Sequence, residues 1–405
     1  MNTQTDIIIS GGGIAGLTLS LLLAKLELSV SVIEPHPPKK SAKPNGRTIA
    51  LMNSSLNILK NIEGVWDQIE DKSARMEMMR IIDISRPTED AVRTEFPASD
   101  IGLEQFGYNI PNQLLRSILY DLAAQNEHIT LHKSALIDFT VNESQTYVKL
   151  ENGHELTAKL IVGADGRSSK VRELAGIKSV RKTYDQAALT FVINHSHAHN
   201  NISTEFHKPH GPLAFVPLPG NQSSIVWVEN LETAEELKNL SAVKLAERLE
   251  DKSNHLLGGI TIETTPESWP LCTIKAKSLS TPRCALIAEA AHVMSPITAQ
   301  GLNLSLRDVA ALAESIADHA RLGIDIGSGA VLKTYEKRRS TDVETRVFGV
   351  DKMNEIVSSQ RKTIKELRRF GLKALDVLPA VKTLSMQVGL APQMDIGRLA
   401  KGEPL

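Results

Sequence analysis

Asp6-Ile-Ile-Ile-Ser-Gly-Gly-Gly-Ile-Ala-Gly16 is the stretch that decides the fold of this chain. Ile7, Ile8 and Ile9 form a short β-branched run suited to a buried parallel strand. Gly11 allows a tight turn, Gly13 lets a pyrophosphate approach the backbone, and Gly16 lets the following helix pack close to the strand. Ile14 and Ala15 lie between the last two glycines and belong to the same binding set. The helix reads from Leu17 to Leu26 and is apolar almost all round, as in a buried helix. A second strand, Val30-Ser-Val-Ile33, ends at Glu34, 21 residues after Gly13, where a carboxylate can accept hydrogen bonds from ribose hydroxyls. A glycine-rich turn alone is a weak signal, and its bland reading is a structural turn. Strand, turn, helix, strand and acid in sequence predict a dinucleotide site.

A second stretch lies more than 250 residues later: Arg283-Cys-Ala-Leu-Ile-Ala-Glu-Ala-Ala-His-Val-Met-Ser-Pro-Ile-Thr-Ala-Gln-Gly-Leu-Asn-Leu-Ser-Leu-Arg-Asp-Val309. It reads as a buried strand closed by Glu289, a loop stiffened by Pro296, and a helix. Gln300-Gly301-Leu302-Asn303, after Ala299, puts free backbone N–H groups at the helix start, which favours negative charge. Paired with the first stretch it points to a flavin, with one segment for the nucleotide end and the other for the ring. A third segment, Leu160-Ile-Val-Gly-Ala-Asp-Gly-Arg-Ser-Ser-Lys-Val-Arg172, is an apolar strand running into Asp165-Gly166. Alone, Asp-Gly is a β-turn. After a buried strand it is read here as a turn beside the cofactor, with Ser169 placed to start a helix.

The 405 residues are 41% hydrophobic and 23% charged, with formal net charge −1. That composition is ordinary for a globular protein of two or three domains and argues against general nucleic-acid binding. Cys272 and Cys284 are too few for a disulfide framework. The N-terminus lacks a basic region and cleavage site, and no apolar run reaches the ~18 residues of a spanning helix, so a cytoplasmic setting is expected. The pattern of elements predicts an α/β fold: a Rossmann-like domain in three parts (1–72, 107–180, 271–325), a mixed-sheet domain inserted twice (73–106, 181–270), and a helical region (326–405). A cleft between the two domains is the natural ligand site.

Three motifs, in order, resemble the para-hydroxybenzoate-hydroxylase-like FAD monooxygenases: Gly11–Gly16 with Glu34, Asp165-Gly166 with Arg172, and Ala288-Glu289…Pro296…Gln300-Gly301. Further segments are similar to the ubiquinone-biosynthesis hydroxylases of that family: Gly46-Arg-Thr-Ile-Ala-Leu51, Ile110-Pro-Asn-Gln-Leu-Leu115, Phe215-Val-Pro-Leu-Pro219 with Val226-Trp227, and Asn303-Leu-Ser-Leu-Arg-Asp308. The family's usual Gly-Asp is Ala288-Glu289 here, and its Gly-Gln-Gly is Ala299-Gln300-Gly301. The resemblance implies FAD, with Arg47, Gln113, Asp165 and Glu289 joining the residues of the two glycine-rich segments around it. Pro296, Gln300 and Gly301 would form the loop facing the ring. It implies aromatic hydroxylation through a flavin C4a-hydroperoxide, with no single side chain as catalyst. The expected partners are a polyprenylated phenol, O₂, NAD(P)H or another reductant, and either a membrane surface, the inner membrane, or other quinone-biosynthesis proteins.

Other features have plainer readings. His292 reads as packing the loop. His195, His197 and His199, with His207 and His210, lack the carboxylate or cysteine spacing of a metal site and read as an exposed loop. Phe215 and Trp227 read as core. A flavin halogenase of the same fold would be expected to carry a Trp-x-Trp pair, but Trp66, Trp227 and Trp269 are isolated. A flavin-poor scaffold subunit is the rival from another class, permitted by Ala288, Glu289 and Ala299. Between residues 331 and 373 twelve Lys or Arg face six Asp or Glu. In the segment 361–378, Ile364, Leu367, Phe370 and Leu375 follow helical spacing among Arg361, Lys365, Arg368 and Arg369. That pattern predicts a basic amphipathic surface for an anionic membrane or an acidic partner.

Overall fold

The first glycine-rich turn is anchored by a parallel sheet whose strands come from distant parts of the chain. The computed structural model describes residues 2–39, 46–85, 91–359, 361–390 and 396–405. Ile7–Ser10, buried throughout, lies between Val30–Ile33 and Leu160–Gly163, parallel to both. Cys284–Leu286 extends the sheet on one side and Ile129–His132 on the other, again in parallel. Helices cover both faces of such a sheet, so its strands read as continuous apolar runs. The first helix spans Ile14–Ala24, three residues earlier than its apolar run suggests, because Gly13 is its N-cap. Every residue of it is buried, packed against the helices Asn112–Gln125 and Gln300–Ala320. A Cβ on Gly16 would fall 2.0 Å from the Gly11 carbonyl oxygen, so only glycine fits there.

A second sheet is built from later segments and one early hairpin. The long strand Ser179–His195 pairs with Gln222–Glu229 and Glu267–Ala276. Gly211–Leu218 and Ile202–Lys208 continue the sheet, and Met78–Asp83 then adds parallel to Ile202–Lys208. One face packs Phe191, Phe206, Phe215 and Trp227 beneath two helices, so the two aromatics read as core are core. Those helices are Leu231–Lys238 and Ala242–Lys252. The break lies at Asn239–Ser241, where Ser241 caps the second helix by accepting from the Lys244 N–H. The other face of the sheet opens on a cavity.

His195 is the last residue of its strand and is buried, with ring nitrogens bonded to the His197 carbonyl and the Ser223 hydroxyl. His207 is buried within Ile202–Lys208. Neither sits in an exposed loop as expected, because both lie on paired strands. Among the described residues no cluster of metal-ligating side chains forms.

From residue 329 on, the elements among the described residues are helices: Gly329–Ser358, Lys362–Val377, Pro379–Leu390 and Gly397–Lys401. The last of these returns to the 300–320 helix, where Glu314 accepts from the Leu399 N–H and from Arg338. The 362–377 helix lies on the strand Val92–Pro97. Its orientation corrects the expected basic surface. Arg368 and Arg369 are buried, and Arg368 binds Asp83 at 2.6 Å with Arg369 3.8 Å from the same carboxylate. Leu367 and Phe370 point outward instead, each 70% exposed. A buried carboxylate needs charged partners, and Asp83 has 0% exposure, so it draws the arginine face inward. No helix among the described residues is long and apolar enough to cross a membrane.

Candidate active site

The turn after Ile7–Ser10 brings the first glycines against the second motif. Gly11 has φ +114°, and a Cβ there would fall 2.3 Å from the Ala164 carbonyl oxygen, so the Gly11 and Ala164-Asp165 turns touch. Glu34 stands beside them. Its carboxylate accepts from the Gly12 N–H at 2.8 Å and the His36 N–H at 2.7 Å, with Arg116 3.1 Å away. A carboxylate offers about four lone-pair sites, so acceptor capacity remains for ribose hydroxyls. Arg116 also donates to the carbonyls of Gly12 and His36, clamping the turn. Sequence reasoning missed Arg116; the Ile110–Leu115 segment that precedes it was the nearest signal.

Asp165 sits at the mouth of the same turn. Its Oδ2 accepts from the Lys170 and Val171 N–H groups, capping the short helix that Ser169 also caps through the Arg172 N–H. Its Oδ1 is buried with no hydrogen-bond partner among the described residues. A buried carboxylate oxygen calls for a donor, which a hydroxyl-bearing ligand would supply. Cβ atoms built on Gly13, Gly166 and Gly301 meet no protein atom within 4 Å. Open space at these glycines and an unpaired oxygen between them fit a dinucleotide laid along the turn.

The ring-end segment closes on the same region. Arg172 donates to the Ala290 carbonyl, and Glu289, in a short turn just after Cys284–Leu286, lies 3.7 Å from Arg167. Ala288 and Ala299, which replace the family's glycines, both adopt left-handed conformations with φ +56° and +52°. For a residue with a Cβ that region costs roughly 1–2 kcal/mol, so the loop holds strain at both ends. Ala299 precedes the 300–320 helix, whose first N–H groups at Gln300, Gly301 and Leu302 point out of the helix end. Asn303 ties this end to the 46–52 segment: it accepts from the Met52 N–H and donates to the carbonyls of Ala50 and Ala299. Arg47 stacks on Trp269 with 4.7 Å to the ring centroid, and its carbonyl accepts from Asn112 N–H, next to Gln113. Contacts thus join the Gly11 turn to the Ala164-Asp165 turn, Arg172 to the ring-end loop, and Asn303 to the 46–52 segment.

Beside Pro296, Ile297 and Ala299 lies a small cavity that opens to solvent. Met52, Met76, Met79, Phe106 and Val216 line it, with the outer face of the second sheet as its floor. These residues come from separate strands, and no sequence pattern announced them.

A buried ionic cluster holds the ring-end loop in place, and it too was not anticipated. Asp308 has 0% exposure. It accepts from the Ala288 N–H and from His292 Nε2, at 3.0 and 2.6 Å, and from Arg339 Nε at 2.8 Å. Arg339 and Arg307 then share Asp342. Although burial opposes the charged form, His292 and Arg339 hold the Asp308 carboxyl down at about 2. His292 therefore packs and orients the loop, as read from the sequence. Cys284 is buried in the sheet, and burial pushes its thiol up to about 12, so it is an inert core residue.

Residues 4–348 match the FAD binding domain family. A ubiquinone hydroxylase UbiL of Rhodospirillum rubrum is 32% identical, over 99% of this chain and 93% of its own length. The 3-demethoxyubiquinol 3-hydroxylase of Escherichia coli is 29% identical, over 96% of this chain and 99% of its own. Among solved structures, a probable FAD-dependent monooxygenase from Pseudomonas aeruginosa, pqsL, superposes with a TM-score of 0.76 at 20% identity, covering 92% of this chain and 100% of that one. The last likeness is one of fold.

Proposed function

The chain belongs to the FAD-binding-domain family and is an FAD-dependent oxidoreductase, and from that premise we propose that it hydroxylates the ring of a polyprenylated phenol in ubiquinone biosynthesis. The observation that carries the reading is the apolar cavity beside Pro296–Ala299, on the flank of the ring-end loop. Full-length similarity to ubiquinone hydroxylases supports it. The bound FAD would activate O₂ once reduced by NAD(P)H or another donor, and would supply the oxygen atom. The chain's own residues bind, orient and exclude water. Gly11 and Gly16 shape the turn and Gly13 gives the pyrophosphate its approach, Glu34 holds the ribose, and Asp165 and Glu289 hold the linking chain. Arg47 and Gln113 flank it. The N–H groups at Gln300–Leu302 stabilise negative charge that grows on the ring during reduction, and the methionine-rich cavity keeps water from the reacting atoms. Deleting the protein from its host should cause an under-hydroxylated prenylphenol to accumulate. An unchanged quinone profile would refute the reading.

Glu289→Ala is expected to weaken FAD binding ten- to hundredfold, since a hydrogen bond to a charged group is worth roughly 1.5–3 kcal/mol. Glu289→Asp should keep most of it. Equilibrium dialysis against FAD checks both, and parent-like affinity in the alanine variant would remove Glu289 from the site.

A protein with no spanning helix among its described residues that acts on a lipid substrate must meet the bilayer at its surface. We assign that contact to the outer side of the 362–377 and 379–390 helices. Leu367, Phe370, Val377 and Leu384 are exposed there, with Arg361, Lys362 and Lys373 exposed on the same helical segment. Buried apolar side chains and basic residues each add to binding at an anionic surface. Met386 and Leu375 of these helices pack with Met52 and Phe106, which line the cavity, so the membrane face and the cavity share a wall. Leu367→Asp with Phe370→Asp should cut flotation with phosphatidylglycerol vesicles at least tenfold while flavin content stays intact. Undiminished flotation would sink the assignment.

A further inference from the structure

Among the described residues that line the cavity beside Pro296–Ala299, Ser203 and Glu205 are polar and Glu205 alone ionises. Side chains alternate along a strand, so residues 203, 205 and 207 of Ile202–Lys208 share the cavity side, opposite the core face that carries Phe206. A carboxylate set among Met and Val needs a partner to stay charged. Glu205 has one: its Oε1 is 2.8 Å from His207 Nε2. His207 is 5% exposed, and its Nδ1 has no partner among the described residues. Its neighbours in register are Pro212 on one side and Asp83 on the other. Asp83 is itself held by Arg368 and Ser85. The pair is therefore built into the sheet and is no surface salt bridge. Glu205 keeps 26% side-chain exposure, and its Oε2 bonds to no described residue.

We propose that Glu205 is a catalytic residue of this enzyme: its Oε2 accepts the phenolic O–H of the substrate and takes that proton during oxygen transfer, and His207 is a positioning residue that fixes the carboxylate. The inference rests on the reading of the reaction as phenol hydroxylation. As an oxygen atom is delivered ortho or para to the phenolic oxygen, a ring π pair forms the new C–O bond while the O–O bond of the activated O₂ breaks and its electron pair stays on the departing oxygen. The O–H bonding pair becomes the second bond of a ring carbonyl, and the proton passes to Glu205. The proton on the attacked carbon is then lost to the departing oxygen, which becomes water; the C–H pair restores aromaticity, and Glu205 returns its proton to the carbonyl oxygen. Overall one atom of O₂ enters the ring, and the other leaves as water with two electrons from a nicotinamide-type reductant. A carboxylate facing the cavity also selects a free phenol over its ether.

The test uses the full-length, FAD-loaded protein with a phenol bearing one isoprenyl chain beside its hydroxyl, and with the methyl ether of that phenol. Binding is followed by the change in flavin absorbance without reductant. The parent should bind the phenol roughly ten- to hundredfold more tightly than the ether. Glu205→Gln and Glu205→Ala should lose that preference while binding the ether as the parent does. His207→Asn should lower kcat and weaken the preference for the phenol while leaving binding of the ether unchanged, which a purely structural histidine would not do. Equal preference for the phenol in parent and Glu205→Ala would overturn the role of Glu205 and leave the hydroxylase reading standing. Failure of the parent to bind either compound would overturn both.

Discussion

Gly13→Leu yields a folded protein without FAD. The two halves of that result have separate causes. A Cβ on Gly13 meets no protein atom within 4 Å, so the fold has room for a side chain. The same open space is where a pyrophosphate would approach the start of the 14–24 helix. A leucine there fills the ligand's place and nothing else. Flavin per protein, read from absorbance after gel filtration, should drop to background, with a melting temperature close to that of flavin-free parent. Gly16→Ala is the contrasting case: its Cβ would sit 2.0 Å from the Gly11 carbonyl oxygen, so that variant should fail in folding. A yellow, flavin-replete Gly13→Leu protein would mean that the cofactor lies elsewhere.

Asp308→Ala should cost about 3–5 kcal/mol of stability, the range for removing one partner of a buried ion pair. Arg339 and His292 lose their shared carboxylate, and the Ala288 N–H loses its acceptor. A urea titration of flavin-free protein at neutral pH measures this, and a loss under 1 kcal/mol would show that the cluster is not what holds the loop. The parent's pH dependence follows from the same group. Asp308 has its carboxyl depressed to about 2 in the fold from an ordinary 3.8. Its contribution is therefore complete above the ordinary value and is lost as pH falls from there toward about 2. Asp308→Ala should lack that acid-side component.

What the sequence disclosed was local. Ile7–Ser10 and Val30–Ile33 could be read because a fully buried parallel strand is apolar on both faces and its turns need glycine. Glu34 was legible because its distance from Gly13 is set by one helix and one strand. Partners that meet only in the fold were not legible. Nothing near Asp308 names Arg339, 31 residues away, as its partner. The cavity draws Met52, Met79, Glu205 and Val226 from strands that the topology alone brings together. Helical spacing gave the 362–377 helix its two faces but not which face turns inward. That was decided by Asp83, 285 residues from Arg368. The histidines misled for a related reason: His195 ends a paired strand, and its burial depends on the neighbouring Ser223 strand. Ala288 and Ala299 were visible as substitutions, while their left-handed backbones, and so their strain, appear only in three dimensions.

Use of FAD to place an oxygen atom from O₂ on a prenylated phenol ring is the activity proposed for this chain. Its most direct test is turnover of the isoprenyl phenol by FAD-loaded protein with NADPH under ¹⁸O₂, followed by mass spectrometry of the product. One ¹⁸O atom is expected in a ring-hydroxylated product, with no label when H₂¹⁸O replaces ¹⁸O₂. Reductant consumed with only hydrogen peroxide formed, or label entering from water, would contradict it.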